Sequence, residues 1–217
     1  MTTAAEPMFG GLSAKGILPG VSRLSMSSAV ADEILERFRR VGAFLEGHFR
    51  LTSGLHSPGY LQSALVLQHP VEAAACGEAI AASVRGLGAG VVLSPALGGI
   101  VIGQEVGRAL GVRAIFAERQ DGRLTLRRGF SLAPGDQVLV VEDVVTTGGS
   151  TRETIEVARA AGAHVVGAAS IVDRSGGNQG LDVPYHALVP ISLPTYQPDA
   201  CPLCARGLPV VKPGSRT

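Results

Sequence analysis

The residues best suited to chemistry lie in one run, Val138-Leu139-Val140-Val141-Glu142-Asp143-Val144-Val145-Thr146-Thr147-Gly148-Gly149-Ser150-Thr151. An apolar strand ends in two adjacent carboxylates, and a loop of hydroxyls and glycines then opens a helix. The glycine amides and the helix N-terminus present N–H donors, and Thr146, Thr147, Ser150 and Thr151 add hydroxyls. Together they make an anion cradle shaped for a phosphate. Glu142 and Asp143 would repel that phosphate unless something intervenes. Either they bind sugar hydroxyls, or they hold a magnesium ion that the phosphates share. A helix N-cap with acidic neighbours would account for one Asp and one Ser or Thr. It does not account for Thr-Thr-Gly-Gly-Ser-Thr directly behind two carboxylates. The loop has no Gly-Lys-[Ser/Thr], so it is not a Walker A loop, and it does not match G-x-G-x-x-G.

A second cradle lies at Ser94-Pro95-Ala96-Leu97-Gly98-Gly99, again between a strand and a helix. Two such units suit a ligand phosphorylated at two separated points, although this glycine pair alone reads equally well as a tight packing turn. Phe116 to Phe130 is charge-dense and carries Arg119, Arg123, Arg127 and Arg128, which are either anion ligands or a solvated face. Cys201-Pro202-Leu203-Cys204 is a C-x-x-C, but zinc needs a second ligand pair, and Cys76 with distant histidines supplies none at the usual spacing. It reads as an unliganded pair, with zinc shared across a dimer as the alternative. The spacing of His48 and His56 assigns them no role, and His69, His164 and His186 read as structural or exposed.

Positioning these groups requires a regular frame, and the chain has one. Pro70–Leu87 reads as a helix, Val91–Leu93 as a strand, Gly99–Leu110 as a helix and Val112–Ala117 as a strand. Glu118–Arg128 reads as a polar loop. Gln137–Val141 is a strand, Ser150–Ala161 a helix and Val165–Val172 a strand. Strands alternating with helices of this length imply right-handed crossovers and a mostly parallel sheet flanked by helices. Upstream, Ile34, Leu35, Phe38, Val41 and Phe44 share one helical face. His48–Ser63, with its Ser-Gly and Ser-Pro-Gly turns, suggests a hairpin or small N-terminal hood. Residues 1–28, rich in Gly, Ser, Ala and Thr, read as a flexible tail, 29–195 as the main α/β domain with its hood, and 196–217 as a C-terminal extension.

Composition sets outer bounds. The chain has 217 residues, 46% hydrophobic and 17% charged, which supports a packed core and excludes a wholly disordered protein. A formal net charge of +1 gives no global field to draw in nucleic acid or a membrane surface. Gly86–Gln104 is 19 residues without a formal charge, but its six glycines and Pro95 break it into strand, loop and helix start. Val183–Pro198 holds four prolines and cannot be one helix. Three cysteines, an odd number, suit a reducing cytoplasm better than a disulfide framework.

The run Val138–Ser150 resembles the thirteen-residue motif of the type I phosphoribosyltransferases: an apolar stretch, two acidic residues, then Thr-x-Gly-x-[Ser/Thr]. Three further segments are similar to the orotate phosphoribosyltransferases. They are Phe49-Arg50-Leu51-Thr52-Ser53-Gly54 with Ser57-Pro58 and Tyr60, Pro95-Ala96-Leu97-Gly98-Gly99-Ile100, and Val172-Asp173-Arg174. The similarity spans roughly residues 30–190. It implies a parallel five-stranded α/β domain with a small hood, a homodimer, Mg²⁺ as cofactor, and transfer of a phosphoribosyl group to orotate.

On that resemblance, Glu142 and Asp143 contact the ribose hydroxyls of phosphoribosyl pyrophosphate, Thr146 through Ser150 its 5′-phosphate, and Val144 and Val145 belong to the same binding run. Ala96, Leu97 and Gly98 form the pyrophosphate loop. Thr146 reaches the orotate ring and Arg174 pairs with its carboxylate, a task suited to a planar guanidinium. Many family members carry Lys at the position of Thr52, and a longer mobile loop with several Lys. Here Arg119, foremost, and Arg123 are the expected pyrophosphate ligands, on a segment expected to close over the site. The rivals are a purine phosphoribosyltransferase and a regulator that senses phosphoribosyl pyrophosphate while binding nucleic acid. Near-neutral charge and the lack of a helix-turn-helix count against the regulator.

Overall fold

Apolar β-branched runs with no polar break make strands buried on both faces, and here they form the middle of a six-stranded sheet. The computed structural model describes residues 28–51 and 53–213. The expected 1–28 tail therefore lies outside the described residues except for Ser28, and Thr52 is outside them too. The elements run α1 (Ser28–Arg40), β1 (Phe44–Arg50), β2 (His56–Leu61), α2 (Ala64–Leu67), α3 (Pro70–Val84), β3 (Val91–Pro95), α4 (Gly98–Leu110), β4 (Arg113–Gln120) and β5 (Arg123–Leu126). They continue with β6 (Gln137–Val145), α5 (Gly149–Ala160), β7 (His164–Asp173), β8 (Tyr185–Pro190) and α6 (Pro202–Ala205).

The sheet order is β5-β4-β3-β6-β7-β8. Five strands are mutually parallel, as the resemblance implies, and β5 pairs antiparallel with β4. Alternate residues of β6 feed two separate cores. Leu139 and Val141 pack with α1, α3 and α4, while Val138 and Val140 pack with α5. Each of these four residues is fully buried, so β6 is the spine of a three-layer domain.

Chain direction fixes where a ligand can sit. From β3 the chain crosses through α4 to β4 on one side, and it later returns as β6 on the other side of β3. The sheet therefore reverses its winding between β3 and β6, and the carboxyl ends of these two strands frame the crevice where open α/β sheets bind ligands. Both cradles read from the sequence hang from these two strand ends.

Two expectations need correction. β4 extends through Gln120, and Glu118–Arg128 forms a hairpin with β5 in place of a loop. Asp121 and Gly122 hold φ of 50° and 82° at its tip, the backbone of a two-residue turn for which Asp-Gly is suited. β8, the fifth parallel strand, escapes sequence reading because it lies inside the proline-rich run 183–198. Pro184 precedes it and Pro190 ends it, at the sheet edge, where proline costs no ladder bond.

The hood is α1 with the β1–β2 hairpin. Ile34 and Phe38 bury the apolar face of α1 as its periodicity requires. Arg37 and Arg40, on the opposite side, share Glu72 at the start of α3, at 2.7 and 2.9 Å. β1 and β2 pair antiparallel, with the register shifting between Glu46 and Phe49.

Candidate active site

β6 delivers Glu142 and Asp143 at its carboxyl end, and Thr146–Gly148 turns the chain into α5. Gly148 makes that turn with φ of 72°, and a Cβ there would stand 2.2 Å from the Gln179 carbonyl. No other residue meets both demands. Arg152, in the first turns of α5, donates to the carbonyls of Thr147 (2.8 Å) and Gln179, tying the loop to the segment after β7. Thr146, Thr147, Gly149 and Ser150 are exposed, so their amides and hydroxyls face solvent at the N-terminus of a 12-residue helix.

The second cradle meets the first. A Cβ on Gly98 would lie 2.7 Å from Oδ1 of Asp143, so the backbone that opens α4 rests directly on that carboxylate. Gly99 is enclosed by Ser94, Pro95 and the Val141 carbonyl. The Ala96 amide donates to the Ala117 carbonyl at 2.8 Å, which anchors the loop to β4, and Leu97 stands out at 83% exposure. Val144 is half-buried and Val145 buried beneath the cradle. From the hood side, Ser63 donates a hydrogen bond from Oγ to Asp143 Oδ2. Ser63 escapes sequence reading because nothing local marks it: its proximity to Asp143, 80 residues on, is wholly tertiary.

Glu142 is only 8% exposed, and its Oε2 is buried without a hydrogen-bond partner among the described residues. Burial, and then the neighbouring charge of Asp143, push its carboxyl up to about 9. A buried carboxyl held this far from its ordinary range, beside a second carboxylate and facing a cradle, marks a group that awaits a donor or a cation. Oxygen donors of this kind fit Mg²⁺ as well as sugar hydroxyls.

Arg174 reaches the same edge. Its amide donates to the Val145 carbonyl at 2.8 Å, while Asp173 Oδ1 accepts from the Ser175 amide at 2.8 Å and turns the chain out of β7. The Arg174 guanidinium is half-buried and makes no hydrogen bond or ion pair among the described residues. Desolvation lowers its pKa from the usual arginine value. A desolvated guanidinium without a partner among the described residues, on a backbone tied to the end of β6, is suited to a planar anion.

The arginine-rich hairpin is less open than the sequence suggests. Arg119 donates to both carboxylate oxygens of Glu153 on α5, at 3.3 and 2.8 Å, and to the Gly122 carbonyl at 2.7 Å. Arg128 pairs with Glu118 through two bonds of 2.7 and 2.8 Å. Arg123 and Arg127 are exposed and make no ion pair among the described residues. Thus Glu153 and Glu118 occupy two of its four arginines.

Residues 64–187 match the model of the phosphoribosyl transferase domain. The chain is 55% identical over 185 residues to an orotate phosphoribosyltransferase of Pelotomaculum thermopropionicum, covering 85% of this chain and 97% of that protein. It is 54% identical to an orotate phosphoribosyltransferase of Chlorobium phaeobacteroides, covering 84% and 95%. Among solved structures, the orotate phosphoribosyltransferase of Mycobacterium tuberculosis H37Rv shares the fold with a TM-score of 0.63 at 24% identity, over 74% of this chain and 95% of that one. The chain belongs to the phosphoribosyltransferase family, on its orotate phosphoribosyltransferase branch.

Proposed function

We propose that this protein transfers the phosphoribosyl group of phosphoribosyl pyrophosphate to orotate, giving orotidine 5′-monophosphate and pyrophosphate in pyrimidine synthesis. The observation that carries the reading is the contact between Gly98 and Asp143. It joins two anion cradles across an acidic pair at the sheet's switch point, the arrangement a sugar phosphorylated at both ends requires. The 55% identity over nearly the whole of a named orotate enzyme supports the choice of base.

In the reaction, a ring nitrogen of orotate forms a bond to the anomeric carbon as the bond to pyrophosphate breaks; the leaving group departs with the electron pair, and the nitrogen gives up its proton to pyrophosphate or solvent. The protein need supply no nucleophile. The Thr146–Ser150 amides and hydroxyls hold the 5′-phosphate, and Ala96–Gly98 holds the pyrophosphate. Glu142 and Asp143 take the ribose hydroxyls, and Asp143 favours positive charge developing on the ring. Arg174 orients orotate through its carboxylate, and Thr146 bounds the base. Arg119 and Arg123 meet the pyrophosphate, Arg119 by exchanging the Glu153 carboxylate for the anion. Glu142 and Asp143 would hold Mg²⁺ at the acidic edge, where it would supply charge neutralisation to the pyrophosphate.

The working unit is a homodimer in the cytoplasm. Val71 on α3, Leu97, and Val101 on α4 are exposed at 76, 83 and 43%, apolar surface suited to a subunit contact. All three cysteines are free thiols, and no described helix is long and apolar enough to cross a membrane.

The test is an assay of purified protein with phosphoribosyl pyrophosphate, Mg²⁺ and a panel of bases. Consumption of orotate alone is expected. Consumption of adenine, guanine or hypoxanthine in its place would make it a purine enzyme, and tight ligand binding without turnover would make it a sensor.

A further inference from the structure

Four side chains outside the active site converge on one point. The ring nitrogens of His48 and His56 and the sulfurs of Cys201 and Cys204 all lie within 4.8 Å of one another. We propose that they form a tetrahedral zinc site that staples the C-terminal extension to the hood.

The nitrogen–sulfur distances fit the ion. Bond lengths of about 2.0–2.1 Å to nitrogen and 2.3 Å to sulfur imply tetrahedral edges of about 3.6 Å between N and S and about 3.3 Å between the two N. Cys201 Sγ stands 3.6 Å from His48 Nε2, and Cys204 Sγ stands 3.7 Å from the same nitrogen and 3.3 Å from His56 Nδ1. The two nitrogens are 2.9 Å apart, the length of an N–H···N hydrogen bond, and would open by about 0.4 Å to share the ion. Two imidazoles and two thiolates in tetrahedral array are a zinc set.

The surroundings aim these ligands. The Leu208 carbonyl accepts from His48 Nδ1–H at 2.8 Å, which turns the lone pair of Nε2 toward the sulfurs. This is the outer-sphere bond that metal-bound histidines make. The register shift in β1 falls between Glu46 and Phe49, and it buries His48 and Phe49 as neighbours where simple alternation would expose one of them. A bulge re-aims a side chain in this way. His48, His56 and Cys201 are buried, and the protein supplies all four ligands, so the site is closed and structural.

The metal would hold what the backbone only borders. The amides and carbonyls of His56 and Tyr196 exchange two bonds of 2.9 Å. On the other edge of the hairpin, Val211 accepts from Arg50 at 2.9 Å and donates to the His48 carbonyl at 2.8 Å. The C-terminal segment thus lies along both edges of a two-stranded hairpin, a unit of marginal stability by itself. The Cys201–Cys204 turn, with the short α6, sits between these two anchor points. β2 ends two residues before Ser63, whose hydroxyl holds Asp143, so the staple also steadies the hood wall of the active site.

The experiment is elemental analysis of the full-length protein, purified without a polyhistidine tag, with thiol titration and melting curves before and after a chelator. About one zinc per chain, and a melting temperature that falls on chelation and returns with added Zn²⁺, are expected. Cys204→Ser should lose the metal and melt lower, while Cys76→Ser keeps it. If Cys204→Ser does not fold, Co²⁺ exchanged into the wild-type protein decides, because thiolate-bound tetrahedral cobalt has intense visible absorption. Metal-free protein that neither binds added Zn²⁺ nor develops that spectrum would overturn the proposal, as would a Cys201–Cys204 disulfide in protein purified under reducing conditions. Each of these readouts is independent of whether orotate is the substrate.

Discussion

The carboxyl edge of β6 and the His–Cys cluster of the hood both gather ligand atoms, and they do so in opposite states of satisfaction. At β6, among the described residues, Glu142 Oε2 has no partner, Arg174 has no counter-ion and the Thr146–Ser150 loop faces solvent. In the hood, the four ligand atoms already face one another, three of their residues are buried, and backbone bonds close both sides. An unfilled, electrostatically costly site lowers the stability of the free protein and leaves groups for a substrate to satisfy and then release. A closed site contributes stability and releases nothing. The difference separates the part of the molecule that turns over from the part that holds it together.

That contrast can be broken most directly at Asp143. Asp143→Asn should lower kcat/KM for phosphoribosyl pyrophosphate by about 10²-fold or more while moving the melting temperature little. A parallel loss of stability and activity would instead make Asp143 a structural carboxylate.

Arg174→Lys offers the next largest effect. It keeps the charge but loses the fork, so KM for orotate should rise by about 10-fold or more with KM for phosphoribosyl pyrophosphate nearly unchanged. Equal changes in both would show that Arg174 does not meet the base.

Glu142 sharpens the stability half of the comparison. Its folded pKa is raised, so the native state holds a proton that the unfolded chain gives up above about 4.5. Stability should therefore be full below that pH and fall as pH rises toward about 9. Glu142→Gln should flatten this decline, with melting curves from pH 5 to 9 as the check. An unchanged slope would place the carboxyl in its ordinary range.

The smallest effect on stability is expected at Arg119. Its pair with Glu153 is exposed, so Arg119→Ala should cost no more than about 1 kcal/mol in denaturant unfolding. A drop in kcat/KM beyond about 10-fold would then mark it as a pyrophosphate ligand. No drop would leave it a surface ion pair and pass that role to Arg123.

The same contrast explains what could be read in advance. β6, its acidic end, the glycine turn and α5 are contiguous, so strand periodicity, the carboxylate pair and helix-start chemistry all fall within the run 138–151. The Asp121-Gly122 turn was equally local, yet the density of charge around it disguised the end of β4 and the short β5 as a loop. β8 was hidden because prolines that break a helix are harmless at the borders of an edge strand. Ser63 and the partners of the cysteine pair had no local mark at all.

By itself the sequence determined the alternating layers, the cradle after β6, the acidic pair and the arginine that follows β7, because each is set by residues within one turn or strand of its neighbours. Only the tertiary structure decided that Gly98 rests on Asp143, that Arg119 is held by Glu153, and that histidines 48 and 56 meet cysteines 201 and 204. Those contacts join segments 34 to 156 residues apart. They arise from chain crossovers and a strand bulge, which no local pattern of side chains encodes.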